Sequence, residues 1–384
     1  MIKINLKIIV LILGYLLSYG CSRDINEIIH LGKNSETQVN IVIDTIETEI
    51  YNSSAVGNFF VKDSIVTFVD AVTCEFYDYT LSGRYLGTYF QKGRGRNEIS
   101  SLMYAYPIEN DSNERCLIVD NSNMISSYRL EEKKISKNGV VDFGWENRKT
   151  NKFHSPSIYN ILAFSDFGVR FNLVNDETVM FPISIINRNT KSADYVIAQR
   201  YDSGAIFGEL DLKSMRVKRV FGKFPNIYKT NPTPHLETFD YAIKSDTIYV
   251  NHTIDSLIYV YKYPDKLLYT IGYECKNIGR NYTHTKNIDV MGNFKIDIQN
   301  CGLNSGLLLC SNNTLCRSYF KSAKSGECGL QVYDINTNNL IMDINVPNYF
   351  KLLTYKDGYY YGVNFTPKEC DDSTILQLYR IKIN

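Results

Sequence analysis

In the stretch QKGRGRNEIS, residues 91–100, two glycines alternate with two arginines, and an acid, Glu98, comes two residues later. Arg94 and Arg96 can bind a phosphate or a carboxylate, because guanidinium groups pair well with such anions. A phosphate loop, however, requires GxxxxGK[ST] before a helix, and this stretch has neither feature. Glycines instead permit a sharp chain reversal. We therefore predict a structural connector in which Gly93 or Gly95 has a positive φ and Glu98 hydrogen-bonds turn amides or pairs with an arginine. An anion contact at the two arginines is the alternative.

Cysteine and histidine are the residue types that form disulfides and zinc sites. Eight cysteines follow Cys21, and four of them are close together in sequence: Cys301, Cys310, Cys316 and Cys328. One or two disulfides in this cluster suit an exported chain, and buried, unreacted thiols are the other possibility. No CxxC pair occurs and the five histidines are far apart in sequence, which argues against zinc. The pairing of the cysteines stays open, and we expect no cofactor.

The amino terminus has the pattern of an export signal. Lys3 and Lys7 precede the apolar run IIVLILGYLL, which is too short for a bilayer core that needs about 20 residues. The run is followed by Gly20-Cys21, which resembles the lipobox cut by lipoprotein signal peptidase. We therefore predict a signal peptide at 1–20, acylation of Cys21 and anchoring of the protein to a membrane through the lipid alone.

The charge balance excludes several classes of partner. Without residues 1–20, which contain two lysines, 40 basic residues face 41 acidic ones. Proteins that bind nucleic acid or anionic lipid through a general field usually carry a basic surface and a high isoelectric point. We expect no nucleic-acid partner.

Short β-strands separated by turn residues dominate the rest of the chain, and helical spacing is almost absent. Residues 57–90 contain GNFFVK, IVTFVD, CEFYDY and RYLGTYF with tight connections, and residues 238–273 repeat this arrangement with TFDYAI, TIYVN, SLIYVYKY and KLLYTIGY. Two such four-stranded units, with weaker copies between and after them, indicate a repeat protein.

The spacing of the units indicates a β-propeller. Units of about 55 to 60 residues give roughly six copies, a number typical of propellers. The last unit has three clear strands, and QVNIVID, at 38–44, is a lone strand before the first unit. We predict an all-β, six-bladed propeller at 37–384, closed by the amino-terminal strand joining the last blade. Residues 21–36 form the predicted tether.

Several segments resemble those of a known family. DSIVTFVD, FYDYTLSGRYLGTYF and KGRGRNE resemble the TolB-like six-bladed β-propeller lipoproteins of Bacteroidetes, whose first blade typically ends in Gly-Arg-Gly-Pro-x-Glu. Gly93, Arg94, Gly95 and Glu98 match this connector, whereas Arg96 replaces its proline. The carboxy-terminal YKDGYYYGVNF and ILQLYRIKI are also similar to the family's last blade. The resemblance implies the fold and a cell-envelope location, but no activity, because the family has no settled one.

A hydrolytic site is the alternative to a binding function. Some six-bladed propellers are lactonases or esterases that hold calcium in the central channel, and four side chains at the ends of predicted strands suit that role: Asp70, Asp120, Asn251 and Asp334. Such residues also end strands as ordinary turn formers, and no GxSxG nucleophile motif occurs.

The sequence thus predicts a binding or interaction module that is lipid-anchored to the outer membrane, with the periplasmic side favoured over the cell surface. Its expected partner is an envelope protein or a glycan. The alternative is a calcium-dependent hydrolase with its site in the channel.

Overall fold

The fold is all-β, as the sequence predicts. The computed structural model describes these parts of the chain: 29–31, 40–51, 53–144, 158–161, 170–186, 201–202, 204–284, 291–311, 313–370 and 373–383. The predicted signal peptide, Cys21 and all of the predicted tether except 29–31 lie outside the described residues. No helix within the described ranges is long and apolar enough to cross a membrane.

The first antiparallel group of four strands matches the predicted first unit. Two earlier strands, β1 (Ile29–Leu31) and β2 (Ile41–Tyr51), pair elsewhere. The group itself consists of β3 (Gly57–Lys62), β4 (Ile65–Asp70), β5 (Phe76–Thr80) and β6 (Tyr85–Tyr89). Asp63 and Ser64 connect β3 to β4 with φ values of 49° and 76°. Two central residues with positive φ form the hairpin turn whose twist matches that of the strands.

The second and third groups follow the same order but share one sheet. The second group consists of β7 (Tyr104–Glu109), β8 (Arg115–Val119), β9 (Met124–Arg129) and β10 (Ile135–Val140). The next strands are β11 (Ile158–Ile161), which pairs with β13, and then the third group, which consists of β12 (Phe171–Asn175), β13 (Thr178–Ile186), β14 (Phe207–Asp211) and β15 (Arg216–Phe221). A short parallel pairing of β7 with β12 joins the two groups.

The fourth and fifth groups are separated by a helix. The fourth group consists of β16 (Phe239–Lys244), β17 (Thr247–His252), β18 (Leu257–Lys262) and β19 (Lys266–Gly272), with β1 added in parallel to β19. The fifth consists of β20 (Leu303–Ser311), β21 (Thr314–Phe320), β22 (Cys328–Asp334) and β23 (Asn339–Val346). Two helical segments, α1 (Asn226–Thr230) and a 3-10 turn at Pro234–Leu236, precede the fourth group. A further helix, α2 (Met291–Asn300), precedes the fifth group.

The last group combines the two ends of the chain. It consists of β24 (Lys351–Lys356), β25 (Tyr359–Cys370), β26 (Ser373–Ile383) and the amino-terminal strand β2. β2 pairs with β26 in antiparallel fashion over all 11 of its residues. The predicted addition of an amino-terminal strand to the last sheet is therefore present, although the strand begins and ends later than the sequence pattern indicated.

The sheets have a propeller-like arrangement, as predicted. Their number differs from the prediction, since the strand pairing gives five sheets instead of six. The physical reason is the β7–β12 pairing, which merges two four-stranded groups, together with β11 on β13, into one sheet of nine strands. The count of six blades remains a prediction.

The apolar core lies between neighbouring groups. One cluster joins Phe60 and Phe76 of the first group to Cys116 and Ile118 of the second. A second joins the fourth and fifth groups, and a third joins the last group to the first through residues that include Ile50, Phe59, Phe68, Leu376 and Leu378. Each group therefore buries its faces against those beside it.

The cysteine cluster contains a disulfide and buried thiols together. Cys310 and Cys316 form a disulfide between β20 and β21. Cys301 and Cys328 are buried and free, as are Cys74, Cys116 and Cys275. Both possibilities left open by the sequence are thus realised, because the irregularity in β20 between Leu309 and Ser311 brings Cys310 close to Cys316 across the hairpin.

Candidate functional site

The innermost side chains converge on one cavity of about 290 Å³. The first strand of every four-stranded group contributes to its wall, namely β3, β7, β12, β16, β20 and β24. We call it the inner cavity. Its polar lining residues are Glu109, Asn110, Arg170, Asn172, Asp240, Ser305, Lys351 and Thr354. Small-molecule sites are usually concave spaces of about 300 to 1,000 Å³ with a few convergent polar groups, so this cavity is at the small end of that range.

An arginine and an aspartate form the charged centre of the inner cavity. Nε of Arg170 lies 3.5 Å from Oδ1 of Asp240, and Nη2 donates to the carbonyl of Leu307 at 2.8 Å. The Asp240 side chain accepts hydrogen bonds from the amides of Tyr241 and Leu307, each at 2.7 Å. Burial alone would lower the pKa of Arg170, but Asp240 raises it above the ordinary value. Arg170 is therefore a fixed cation.

The Arg170 side chain retains donor capacity toward the cavity. It is 26% exposed, whereas the Asp240 side chain is 6% exposed. The contacts with Asp240 and Leu307 are made through Nε and Nη2, so the Nη1 donors take part in neither. A guanidinium whose other nitrogens are held in place is preorganised to bind an acceptor, because little further ordering is needed.

Asn172 supplies an unsatisfied acceptor in the same wall. The residue is 7% exposed, and its Oδ1 is buried without a hydrogen-bond partner among the described residues. Buried polar atoms are nearly always paired, so an exception requires an explanation such as a missing water or ligand. The inner cavity thus offers a donor at Arg170 and an acceptor at Asn172.

The inner strands carry a recurring polar residue that sequence reasoning missed. The second residue of the first strand is Asn or Asp in four groups: Asn58, Asn172, Asp240 and Asn304. All four are buried. Asn58 makes a two-way contact with the next group, donating to the carbonyl of Ala105 at 2.8 Å and accepting from its amide at 3.2 Å. The recurring Asn or Asp at the second position of the first strand was therefore the sequence signal that could have identified Asn172 and Asp240.

The QKGRGRNEIS stretch connects β6 to β7, as a crossing between groups should. The predicted positive φ at Gly93 or Gly95 is wrong, because within QKGRGRNEIS the residue with positive φ is Asn97, at 66°. Asn97 also accepts a hydrogen bond from the amide of Ile135 at 3.0 Å. The asparagine side chain both tolerates the left-handed region and ties the loop to β10.

The glycines of the connector have a different role. The Glu98 carboxylate folds over them and accepts a hydrogen bond from the Gly95 amide at 2.6 Å and from Gln91 at 2.9 Å. A Cβ on Gly93 would meet Glu98 Oε2 at 2.0 Å. The hydrogen bond from the Gly95 amide holds the pKa of Glu98 below its usual value. The glycines therefore make space for a carboxylate.

Arg94 and Arg96 are exposed, and neither side chain forms an ion pair with a described residue. They share no wall with the inner cavity. The structure thus does not bring them together with Arg170, and the anion contact proposed for them remains a prediction.

The four calcium candidates do not converge. None of them lines the inner cavity. Asp70 accepts from the amides of Val72 and Thr73, and Asp120 and Asp334 accept in the same way from amides that follow them in their turns. Asn251 is buried in β17 opposite Asp240. Within the described ranges no three His, Cys, Asp or Glu side chains are grouped closely enough to hold a metal.

Another arginine, Arg317, is buried and has a structural role. Arg317 of β21 donates to the carbonyls of Ser256 and Tyr273 at 2.7 and 2.6 Å and to Oε1 of Gln331 at 3.0 Å. Gln331 in turn donates to Asp343 at 2.8 Å. This network ties the fifth group to the fourth, and Arg317 is 0% exposed, so its guanidinium has a structural role and does not face solvent.

A histidine–aspartate pair is buried beneath α2. Nε2 of His235 lies 2.7 Å from Oδ2 of Asp297, which also accepts from the amide of Thr283 at 2.8 Å. Nδ1 of His235 is buried, and no described side chain hydrogen-bonds it. A nucleophile–base pair requires a Ser, Thr or Cys at that position, so the pair gives no support for catalysis.

The sequence matches no known protein-family profile and no curated protein. Among solved structures, the fold is similar to that of a DUF4221 family member from Bacteroides vulgatus, with a TM-score of 0.65 and 13% identity over 91% of this chain and 100% of that chain. It is also similar to a Bacteroides fragilis protein named for its expected export, with a TM-score of 0.52 and 14% identity over 92% and 99% of the two chains. At these identities the likeness concerns the fold.

Proposed function

We propose that this protein is a binding module of the bacterial cell envelope that takes a polar group of a protein or glycan partner into its inner cavity. The observation that carries the proposal is the meeting of Arg170, which has donor capacity, with the unsatisfied Oδ1 of Asn172 in one wall. In this proposal the six groups of strands are six blades, and the inner cavity lies on their common axis. The first strand of every group lines that cavity, which supports this count.

The polar groups and the volume of the inner cavity determine which kinds of chemical group it can bind. A ligand group must present an acceptor to Arg170 and a donor to Asn172, which sugar hydroxyls and amides do at the same time. Leaving either protein group unpaired in a desolvated site costs about 1 to 3 kcal/mol. The pocket therefore discriminates against purely apolar groups, and its volume of about 290 Å³ restricts entry to about one sugar ring or one side chain.

The proposed location follows from the amino terminus. We assign residues 1–20 to a lipoprotein signal peptide, Cys21 to the acylated residue, 21–36 to a tether of which β1 pairs with β19, and 37–384 to the propeller. The protein would be anchored to the outer membrane with the periplasmic side favoured over the cell surface, and the cell-envelope location is the one that the TolB-like resemblance implies. The likeness to a Bacteroides protein named for its expected export supports secretion. Replacement of Cys21 by Ser should move the protein from membranes to the soluble fraction, and an unchanged distribution would contradict the anchor.

The binding proposal is tested by crosslinking the anchored protein in its own membranes and identifying what is recovered. Wild type is compared with Asn172→Ala and Arg170→Gln, and Arg94→Gln/Arg96→Gln is the matched control on the connector. We expect the control to recover the partner and both cavity variants to lose most of it. Asn172→Ala removes an acceptor that no described residue uses, so its thermal unfolding should remain close to that of wild type.

The outcomes separate the alternatives. Loss of the partner in the connector variant alone would favour the anion contact at Arg94 and Arg96. Recovery by all variants would contradict the inner cavity as the site. No observation on the described residues favours the calcium-dependent hydrolase, and the expectation of no cofactor and no nucleic-acid partner remains a prediction.

A further inference from the structure

A second concave site lies where the last group of strands meets the first. It has a volume of about 680 Å³ and is lined by residues of β2, β26 and the β5–β6 hairpin, together with the residue before β5: Glu47, Thr48, Glu49, Glu75, Tyr77, Tyr79, Tyr85, Thr88 and Ile375. We call it the seam cleft. It shares no lining residue with the inner cavity.

The seam cleft is strongly acidic. Three of its nine described lining residues are glutamates, and none is Lys, Arg or His. Glu47 and Glu49 are exposed on β2, and Glu75 lies across the cleft, just before β5. Glu47 accepts a hydrogen bond from Gln377 at 2.9 Å, and Glu75 accepts one from Tyr77 at 2.5 Å. These contacts orient two carboxylates without neutralising their charge.

The tyrosines of the seam cleft add an independent sign of a ligand. Tyr79 is 0% exposed, and its hydroxyl is buried without a partner among the described residues. Tyr85 is 52% exposed, and its ring centroid lies 5.5 Å from that of Tyr79. A tyrosine face attracts a cation within about 6 Å, and an unpaired phenol oxygen can accept a hydrogen bond. Carboxylates, an exposed aromatic ring and an orphan hydroxyl thus all favour a cationic donor.

We propose that the seam cleft binds a cationic side chain of a partner protein, the ammonium group of Lys or the guanidinium of Arg. Such a group donates to the glutamates and to Tyr79 while lying against the ring of Tyr85. A peptide fits better than a free amine, because β2 is the last strand of its sheet and, among the described strands, pairs with β26 alone. An extended basic segment can add to such an edge while its side chain enters the cleft.

Because of where the seam cleft lies, a ligand bound there should have a measurable effect on the stability of the fold. The cleft is formed by two groups that are joined through the packing of Ile50 and Leu376 on Phe59 and Phe68. A ligand that contacts both groups binds the folded protein and not the unfolded chain. It therefore raises the unfolding temperature by mass action.

The test uses fluorescein-labelled, terminally blocked tetralysine as the probe and the protein from residue 22 to 384, which lacks the proposed lipid-bearing Cys21. Fluorescence anisotropy should show saturable binding that weakens about tenfold between 50 and 300 mM NaCl, because salt screens exposed charges. Tetraglutamate of the same length should not bind. Spermidine should compete more weakly than unlabelled tetralysine if the occupant is a peptide.

Matched variants assign the binding to the cleft. Glu47→Gln/Glu49→Gln should weaken tetralysine binding about tenfold or more, whereas Glu131→Gln/Glu132→Gln, which removes two exposed charges from the turn after β9, should change it less than twofold. Tyr79→Phe should weaken binding severalfold with an unchanged unfolding temperature, because no described residue uses its hydroxyl.

Equal effects of the two glutamate pairs would overturn the proposal, since binding would then reflect overall charge. Absence of tetralysine binding at low salt would overturn it as well. Binding of neutral oligosaccharides that the Glu47→Gln/Glu49→Gln variant loses would do the same, because the cleft would then be a glycan site.

Discussion

Two regions of this protein contain arginine beside a carboxylate, and they differ in almost every other respect. In the β6–β7 connector, Arg94 and Arg96 are exposed and Glu98 turns away from them to the Gly95 amide. In the inner cavity, Arg170 is held by Asp240 and by the carbonyl of Leu307. The connector is conspicuous in sequence because its two arginines are close together, whereas the inner cavity holds its arginine in a constrained geometry.

The difference lies in what fixes the charged group. Exposed ion pairs gain little, because water and salt compete with them and ordering two long side chains costs entropy. In the inner cavity the aspartate is buried and receives two backbone hydrogen bonds, so the arginine has a rigid partner. A dense basic motif is therefore weaker evidence for an anion site than a single arginine held from several directions.

The largest effect that separates the regions should come from Asp240→Ala. Removal of Asp240 takes away the carboxylate paired with Arg170 and frees the amides of both Tyr241 and Leu307. We expect a loss of about 3 kcal/mol in the free energy of unfolding, measured by urea denaturation. Asp240→Asn keeps the shape and one acceptor, so it should lose less. A loss below about 1 kcal/mol for the alanine variant would show that the inner pair is no more constrained than a surface pair.

A smaller loss should follow from Asn97→Val in the connector. A β-branched side chain is strained at the observed φ of 66°, and the hydrogen bond from Ile135 is lost as well. Together these effects should destabilise the protein by about 2 kcal/mol in thermal or urea unfolding. Asn97→Gly is the control, because it removes the hydrogen bond while glycine still adopts the positive φ without strain. If both variants were equally stable, left-handed strain at this position would not matter.

Arg94→Gln/Arg96→Gln should change stability by less than about 0.5 kcal/mol, since both side chains are exposed. Urea unfolding of this variant beside Asp240→Ala measures the contrast between the regions directly. A loss that approached that of Asp240→Ala would indicate a contact made by the arginines and would reverse the comparison.

The smallest expected effect is on how the stability of the fold depends on pH in the acidic range. The Gly95 amide holds the pKa of Glu98 below the ordinary value of 4.5. The stabilisation that Glu98 contributes is therefore fully present above about pH 4.5 and is lost as the pH falls through its lower folded-state pKa. Unfolding temperatures of wild type and Glu98→Gln should differ slightly at pH 6 and converge near pH 3. A difference that grew in acid would contradict the depressed pKa.

The sequence predicted the strands better than it predicted the site. GNFFVK and IVTFVD became β3 and β4 at the predicted residues, because apolar runs and turn residues act over a few positions. The reversal in the connector was assigned to glycine because glycine usually permits positive φ, yet Asn97 adopts that conformation. Asparagine can do so when its side chain finds a partner, and Ile135 is 38 residues away.

The sequence by itself thus determined the strand-and-turn repeat and the addition of an amino-terminal strand to the last sheet. These features depend on local periodicity and on the need to cover an open sheet edge. The tertiary structure alone decided which polar residues meet. Arg170 lies 70 residues from Asp240 and 137 from Leu307, so no local pattern could link them. They come together because the first strand of each group faces the same inner cavity.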